Sequence, residues 1–323
     1  MNAQTPRTED PLQAPVFMDA EDVGRALTAR KAIDSMTAFL LAGFDPETGA
    51  PRTRVETASG TFMQMPAAND QYVGTKLLTI TPENSKSSSP VIQGLYVLFG
   101  GDQQGPLAIL DGIALTNWRT SCVSALCVEL VVAPGPKRLL VYGTGVQAWE
   151  HVKIFNEIFD LLSIEIMGRT PRASEAIVFR AQEAGMDVAV AGADSIEYAD
   201  IVVCCTASEG PLFDGRKVKP SAVVVAMGSH DRSHRELDDV LMSDASVCVE
   251  SLGSALREAG DVIQALESGA VAGSSDLITV ADMVLGRAAI ATDKPVVFKT
   301  TGMPWQDLAV AIAAYESRTC AGA

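Results

Sequence analysis

No stretch of this sequence is built to cross a bilayer. Apolar runs such as VVVAM at 223–227 and LVVA at 130–133 fall far short of the roughly 20 residues a spanning helix needs. The opening residues, MNAQTPRTEDPLQAP, lack a cationic start followed by an apolar core, so no secretory signal is expected. Positive charge is scarce too: 25 Lys and Arg stand against 40 Asp and Glu, a formal net charge of −15, with no basic cluster. Such a surface repels phosphate backbones and anionic lipid, so neither nucleic acid nor membrane is expected as a partner. An anionic ligand must therefore be held by Arg and Lys gathered inside a pocket. The six cysteines (122, 127, 204, 205, 248 and 320) form no CxxC pair, which favours reduced, buried thiols in a cytoplasmic protein. The three histidines, His151, His230 and His234, have no partner at metal-ligand spacing, so no metal is expected.

What is present is a generous apolar fraction, 47% of 323 residues, enough for one large domain or two. Residues 1–15 read as a mobile arm. A short strand at VFM follows, then amphipathic helices with Asp19 and Thr28 as N-caps and Gly43 as a stop. Short strands come next in RVETASG, TFMQMPA, YVGTKLLTITP, VIQGLYVLFG and PLAILDG, parted by turn residues, which predicts an antiparallel or mixed sheet. LTNWRTSCVSALCVELVVA has helical periodicity, with Leu115, Trp118, Cys122, Ala125 and Leu126 on one side. At Pro134-Gly135-Pro136 the pattern changes to alternating strand and helix. Strands are expected at 138–143, 163–168, 187–191, 200–206, 222–228, 246–251 and 296–300, with helices at 147–162, 172–185, 254–268 and 279–288. Near-continuous Val, Ile and Ala in those strands suit a parallel sheet covered on both faces. The predicted class is α/β: a Rossmann-type doubly wound domain over 134–302, and an α+β domain over 1–133 joined by the last helix, 303–323.

The strand RLLVYG runs into Gly143-Thr144-Gly145-Val146-Gln147-Ala148 and then a helix. The first glycine permits a tight turn, the second admits a pyrophosphate, and Ala148 allows close helix packing. The helix N-terminus presents free N–H groups to the phosphates. At the end of the second strand an NAD enzyme usually places an acid for the ribose 2′-hydroxyl, yet this chain reads Gly168-Arg169-Thr170-Pro171-Arg172. Arg169, Thr170 and Arg172 suit a 2′-phosphate, which favours NADPH and leaves NADH as the alternative.

Three cations before the glycine turn mark a second site: Arg52 in APRTRV, Lys76 in VGTKLLT and Arg119 in LTNWRTS, with Arg54 competing for the role of Arg52. Lys76 and Arg119 sit among apolar residues, where an unpaired charge is unfavourable.

The run VGTKLLTITPENSKSSSPVIQGLYVLFGGDQQGPLAILDGIALTNWRTSCVSALCVELV, followed by VYGTGVQA, AMGSHDRSHRELDD, REAGD and KTTGMPWQDLA, resembles the ornithine cyclodeaminase/mu-crystallin family in the same order. The resemblance extends over nearly all the chain after about residue 17. It implies a substrate-binding and dimerisation domain beside a Rossmann domain, and hence a homodimer. It implies that Arg52, Lys76 and Arg119 bind a substrate carboxylate beside the nicotinamide, with Lys76 as proton donor or water organiser. Thr206, Ser208, Gly228 and the Thr301-Gly302 turn would line the nicotinamide. The chain departs from the cyclodeaminase pattern where an acid is expected: Ser229-His230 replaces a Gly-Asp pair, and TFMQMP carries only Met63 and Gln64. His230 suits a substrate contact, an adenine contact or a plain loop position alike. The two missing carboxylates argue against ornithine. They favour reduction of a cyclic ketimine carboxylate, pyrroline-2-carboxylate or piperideine-2-carboxylate, to L-proline or L-pipecolate. Lys76 would act with a pKa lowered by its two guanidinium neighbours. The alternatives are cyclodeamination of ornithine, an alanine dehydrogenase activity, and NADPH-dependent small-ligand binding without turnover, as in mu-crystallins.

Overall fold

The computed structural model describes residues 14–87, 89–291 and 293–321. The arm expected over 1–15 therefore lies, except for its last two residues, outside the described ones. Strand β1 (Val16–Met18) leads into α1 (Ala20–Ala26), where Asp19 caps the helix in a reciprocal pair with Asp22. Helix α2 (Ala29–Leu41) starts from Thr28, whose hydroxyl accepts the Lys31 N–H, and the chain turns away at Gly43 with φ +95°. Strands β2 (Thr53–Thr57), β3 (Gly60–Ala68), β4 (Tyr72–Ile80), β5 (Ile92–Gly100) and β6 (Gly105–Asp111) then form an antiparallel meander. β1 adds in parallel beside β6, giving the order β1-β6-β5-β4-β3-β2. The mixed sheet is the one the turn residues predict.

Register decides what faces the site. Opposite residues of an antiparallel pair share a face. Lys76 on β4 lies opposite Met65 on β3 and Tyr96 on β5, and all three side chains are buried. Helix α3 (Gly112–Glu129) begins directly after β6, capped by Asp111, and packs on β5. It starts three residues before the expected LTNW, at Gly112, whose missing side chain lets it sit against the Gly94 backbone.

Beyond residue 134 the alternation is regular. The elements are β7 (Lys137–Tyr142), α4 (Val146–Ile158), β8 (Leu161–Met167), α5 (Pro171–Glu183), β9 (Val188–Val190), α6 (Ser195–Tyr198), β10 (Ile201–Cys204) and β11 (Val223–Ala226). They continue through α7 (Asp239–Asp244), β12 (Ser246–Val249), α8 (Leu252–Glu258), α9 (Gly260–Ser268), β13 (Ile278–Thr279), α10 (Val280–Val284) and β14 (Val296–Lys299). All pairs are parallel, in the order β13-β12-β14-β11-β10-β7-β8-β9. Strand order reverses between β7 and β10, the place where such sheets bind nucleotides.

Three expectations need correction. The helix read over 147–162 ends at Ile158, and Leu161 and Leu162 already belong to β8. The helix read over 254–268 is two helices, because Ala259 is extended (φ −88°, ψ 93°) and Gly260 packs against the His234 and Asp231 carbonyls, where a Cβ would meet oxygen at 1.9 Å. The helix read over 279–288 shortens to α10 because Thr279 closes the short strand β13 and Gly286, at φ +67°, turns the chain just past Leu285.

The last helix, α11 (Pro304–Ala321), returns to pack on α2, α3, β3 and β4. Trp305, Leu308, Val310 and Ala314 are buried there. Truncating a buried Leu such as Leu308 costs about 2–5 kcal/mol. That packing pins the helix over the face that carries Lys76.

Candidate active site

The glycine turn has the geometry a pyrophosphate needs. Gly143 adopts φ +123°, and a Cβ there would lie 2.6 Å from the Cys205 carbonyl oxygen. Gly145 is the N-cap of α4, offers no side-chain cap, and has open space where a Cβ would be. The first N–H groups of α4 are thus left for an anion. Thr144 packs its methyl toward Gly168, while Val146 is exposed and Ala148 buried. Gln147 donates to Asn117 Oδ1 at 3.0 Å, tying the turn to α3. At the end of β8, Arg169 and Arg172 are exposed, and their side chains form no hydrogen bond or ion pair with any described residue. Thr170 caps α5, accepting the Ala173 N–H. A dinucleotide fits: phosphates at the turn, adenosine over β8, nicotinamide over β10 and β11.

Past the ends of β10 and β11 the chain is tied by a carboxylate with no solvent exposure, Glu236. One oxygen accepts the Thr206 N–H at 2.8 Å and the Thr206 hydroxyl at 2.7 Å, and the other accepts the Gly228 N–H at 2.8 Å. Burial pushes this carboxyl up, against the pull of Lys299 and the Thr206 donors. Lys299 Nζ lies 2.9 Å from Asp261 Oδ2, in a direction that makes no hydrogen bond, and Asp261 Oδ1 accepts the Glu236 and Leu237 N–H groups. Ser208 turns inward to its own loop, donating to the Gly210 carbonyl.

The three cations converge from different elements. Lys76 Nζ donates to Thr116 Oγ1 at 3.0 Å and to both oxygens of Asp307, on α11, at 2.9 Å. Its pKa is lowered to about 8, first by burial; Asp307 opposes the shift, and Arg119 and Arg52 add to it. The expected cause, the guanidinium neighbours, is therefore secondary, and the charge is paired rather than bare. Arg52, from the segment before β2, donates to the Gly302 and Thr301 carbonyls and stands 3.4 Å from Glu258. Arg54 is exposed, so the structure brings Arg52 to the cluster instead. Arg119 is 7% exposed, yet its side chain makes no hydrogen bond to a described residue. Its Nε stands 3.4 Å from Asp307 Oδ1. Its guanidinium lies over Gly302 (φ +78°), where a Cβ would meet Nη1 at 2.5 Å. A guanidinium this buried whose fork bonds no described residue has donors left for an anion. His230 is solvent-accessible at the end of β11, near enough for desolvation, Arg52 and Lys299 to hold its imidazole below the usual range.

A model of the ornithine cyclodeaminase/mu-crystallin family matches residues 14–321. The chain belongs to that family. Ketimine reductase mu-crystallin of Mus musculus is 32% identical over 316 residues, covering 94% of this chain and 98% of the relative. Delta(1)-pyrroline-2-carboxylate reductase of Colwellia psychrerythraea is 29% identical, covering 77% and 81%. The Thermococcus litoralis pyrroline-2-carboxylate reductase, solved with NADH and L-proline, shares the fold with TM-score 0.86 at 21% identity, covering 95% and 98%.

Within this family member, several polar residues escaped the sequence reading. Asp307 is the one acid on the buried face of α11, standing within WQDLAVAIAA, and an acid in so apolar a helix is the signal that could have found it. Glu250 accepts the Thr301 and Gly302 N–H groups at 2.8 and 2.9 Å and the Gln306 amide at 2.6 Å, shaping the turn that grips Arg52. Glu236 and Glu258 stand within the runs RELDD and REAGD, and those runs are the signal that could have singled them out. His151 is a core residue, bonded to Gln147 and Ser124, with its pKa lowered to about 4 by burial.

Proposed function

We propose that this protein reduces a cyclic ketimine carboxylate, pyrroline-2-carboxylate or piperideine-2-carboxylate, to L-proline or L-pipecolate, with NADPH as the preferred cofactor. Arg119 carries this reading: a nearly buried guanidinium whose side chain bonds no described residue, standing in a cluster rich in cations. Arg52, Lys76 and Arg119 meet the acids Asp307 and Glu258, and Glu258 is shared with Arg257, so the cluster is rich in positive charge and suited to a substrate carboxylate. The similarity to the mouse ketimine reductase mu-crystallin and the Colwellia pyrroline-2-carboxylate reductase favours the C=N chemistry.

NADPH, when bound, supplies hydride to the imine carbon. The chain does the rest. Arg119 takes the carboxylate, bidentate where the fork allows, and Arg52 adds a second charge from the Thr301-Gly302 side. Fixing the carboxylate fixes the neighbouring imine carbon, and such positioning accounts for much of the rate. Lys76, protonated below about pH 8, gives the imine nitrogen its proton by swinging one N–H from Thr116 or Asp307 to the substrate. Asp307 holds the ammonium in place. Arg169, Thr170 and Arg172 receive the 2′-phosphate, and Gly143 to Gln147 the pyrophosphate. Thr206, Ser208, Gly228 and Thr301 border the nicotinamide, and His230 stands at the solvent-accessible rim of the substrate side.

The larger assignment follows. Residues 1–133 with 303–323 form the substrate-binding and dimerisation domain, and 134–302 the Rossmann domain. A groove of about 940 Å³ opens on the sheet face opposite Lys76, lined by Phe62, Leu77, Leu95 and Trp118. Leu95 and Ile92 are exposed there, a face suited to a second copy in a homodimer. The protein works in the cytoplasm with its thiols reduced; Cys122, Cys127, Cys204, Cys205 and Cys248 are free. No described helix is long and apolar enough to cross a membrane.

The test is NADPH consumption by purified protein with each imine, run beside L-ornithine with NAD. Oxidation with either imine supports the reading and ranks the rings. Ammonia and proline from ornithine, with both imines inert, overturns it in favour of cyclodeamination. Inertness throughout, with NADPH bound, overturns it in favour of a ligand-binding role.

A further inference from the structure

The Thr206 hydroxyl has one proton, and Glu236 holds it. The donor–acceptor distance is 2.7 Å, and the same carboxylate oxygen also takes the Thr206 backbone N–H, which holds the acceptor in place beside the hydroxyl. The second carboxylate oxygen is fixed by the Gly228 N–H. Glu236 is itself anchored: its N–H donates to Asp261 Oδ1 at 2.7 Å, and Lys299 lies in the same buried cluster. Gly228 has no room to shift, since a Cβ would stand 1.9 Å from the Thr206 carbonyl oxygen. Thr206 is thus held rigidly, half-buried, with only lone pairs left to offer.

Its position follows from the sheet. Strand order reverses between β7 and β10, and a dinucleotide laid with its pyrophosphate on the Gly143 turn sends one half over β8 and the other over β10 and β11. Thr206 comes two residues after β10, beside the Cys205 carbonyl that touches Gly143. The half over β10 is the nicotinamide, because the cations suited to a 2′-phosphate stand at the end of β8. Nicotinamide carries a carboxamide whose NH2 group donates and whose oxygen accepts. A hydroxyl that can only accept selects the NH2 end.

We propose that Thr206 accepts a hydrogen bond from the carboxamide NH2 of nicotinamide, and that Glu236 is the positioning residue that makes Thr206 a pure acceptor. The inference rests on the dinucleotide reading of the site. It sets which way the carboxamide points, and so which edge of the ring the loop recognises.

Equilibrium binding tests it without turnover, using calorimetry with three probes: NADP⁺, its 3-acetylpyridine analogue, whose methyl ketone cannot donate, and adenosine 2′,5′-bisphosphate, which lacks the nicotinamide. Wild-type protein is expected to bind NADP⁺ about tenfold tighter than the acetylpyridine analogue, the size of one hydrogen bond. Thr206→Val should erase that preference while leaving the bisphosphate affinity unchanged, and Thr206→Ser should restore it. Glu236→Gln places an amide NH2 against either Thr206 or Gly228, so it too should narrow the preference without touching the bisphosphate. A preference that survives in Thr206→Val overturns the contact. Loss in Thr206→Val but not in Glu236→Gln overturns the role of Glu236. A fall for all three probes alike in Thr206→Val means collapse of the loop and also overturns the proposal. Wild-type protein that binds neither NADP⁺ nor the bisphosphate refutes the dinucleotide reading itself.

Discussion

Replacing Asp307 by Asn keeps the shape of the side chain and removes the one acid bonded to Lys76. Both Asp307 oxygens lie 2.9 Å from Lys76 Nζ, at a site without solvent exposure. A hydrogen bond to a charged group contributes about 1.5–3 kcal/mol. At about 1.4 kcal/mol per pKa unit, removing the carboxylate lowers the Lys76 pKa by roughly one to two units. The wild-type value is about 8, already depressed by burial. The sign is clear: protonated Lys76 is the donor, so wild-type activity is full below about pH 8 and falls above it, and the variant's fall begins earlier. At pH 7.5 the Asn variant should keep roughly a tenth of wild-type kcat/KM and recover toward pH 6, since kcat/KM follows the protonation of the free enzyme. The assay is kcat/KM against pH for both proteins with one imine, expressed as a ratio so that the imine's own titration cancels. A ratio flat from pH 6 to 9, in a variant with wild-type circular dichroism, would refute the Lys76–Asp307 mechanism.

Gly302→Ala should displace Arg119, because the new methyl would meet Nη1 at 2.5 Å in a backbone conformation that disfavours side chains. A rise of about tenfold or more in imine KM, with NADP⁺ affinity unchanged, is expected from one lost charge-assisted bond; an unchanged KM contradicts the placement of the carboxylate. Exchanging both Arg169 and Arg172 for Ala should cut the NADPH-over-NADH preference in kcat/KM by about tenfold or more, and a preference left intact would remove both from the 2′-phosphate. His230 is solvent-accessible, and its imidazole is held toward the neutral form. His230→Asn should therefore leave imine KM at pH 7.5 within about threefold, whereas a larger loss would give it a direct part in substrate binding.

The parts of this molecule that repeat were legible in its sequence, because periodicity and turn chemistry are local. The glycine turn, the parallel strands of Val and Ile, and the caps at Asp19 and Thr28 are all of this kind. The cations Arg52, Lys76 and Arg119 could be named, but their partners could not, since those partners arrive from far along the chain. Asp307 is 231 residues from Lys76, and Glu258 belongs to a helix in the other sheet's layer. Read locally, Lys76 has no partner and only guanidinium neighbours, because both the helix that buries it and the Asp307 that pairs with it come from the far end of the chain. The break at Ala259 was hidden for a similar reason: what fills the space beside Gly260 is the 231–234 loop, a tertiary contact with no local mark.

Whether Arg119 reads a carboxylate is decided by comparing two imines of one ring size, pyrroline-2-carboxylate and unsubstituted 1-pyrroline, by NADPH oxidation in wild-type protein and in Arg119→Ala. The wild type should favour the carboxylate by about a hundredfold in kcat/KM, the scale of a bidentate charged pair, and the variant should lose most of that preference by failing on pyrroline-2-carboxylate alone. A wild type that turns over both imines equally, or a variant that keeps the full preference, would contradict the account.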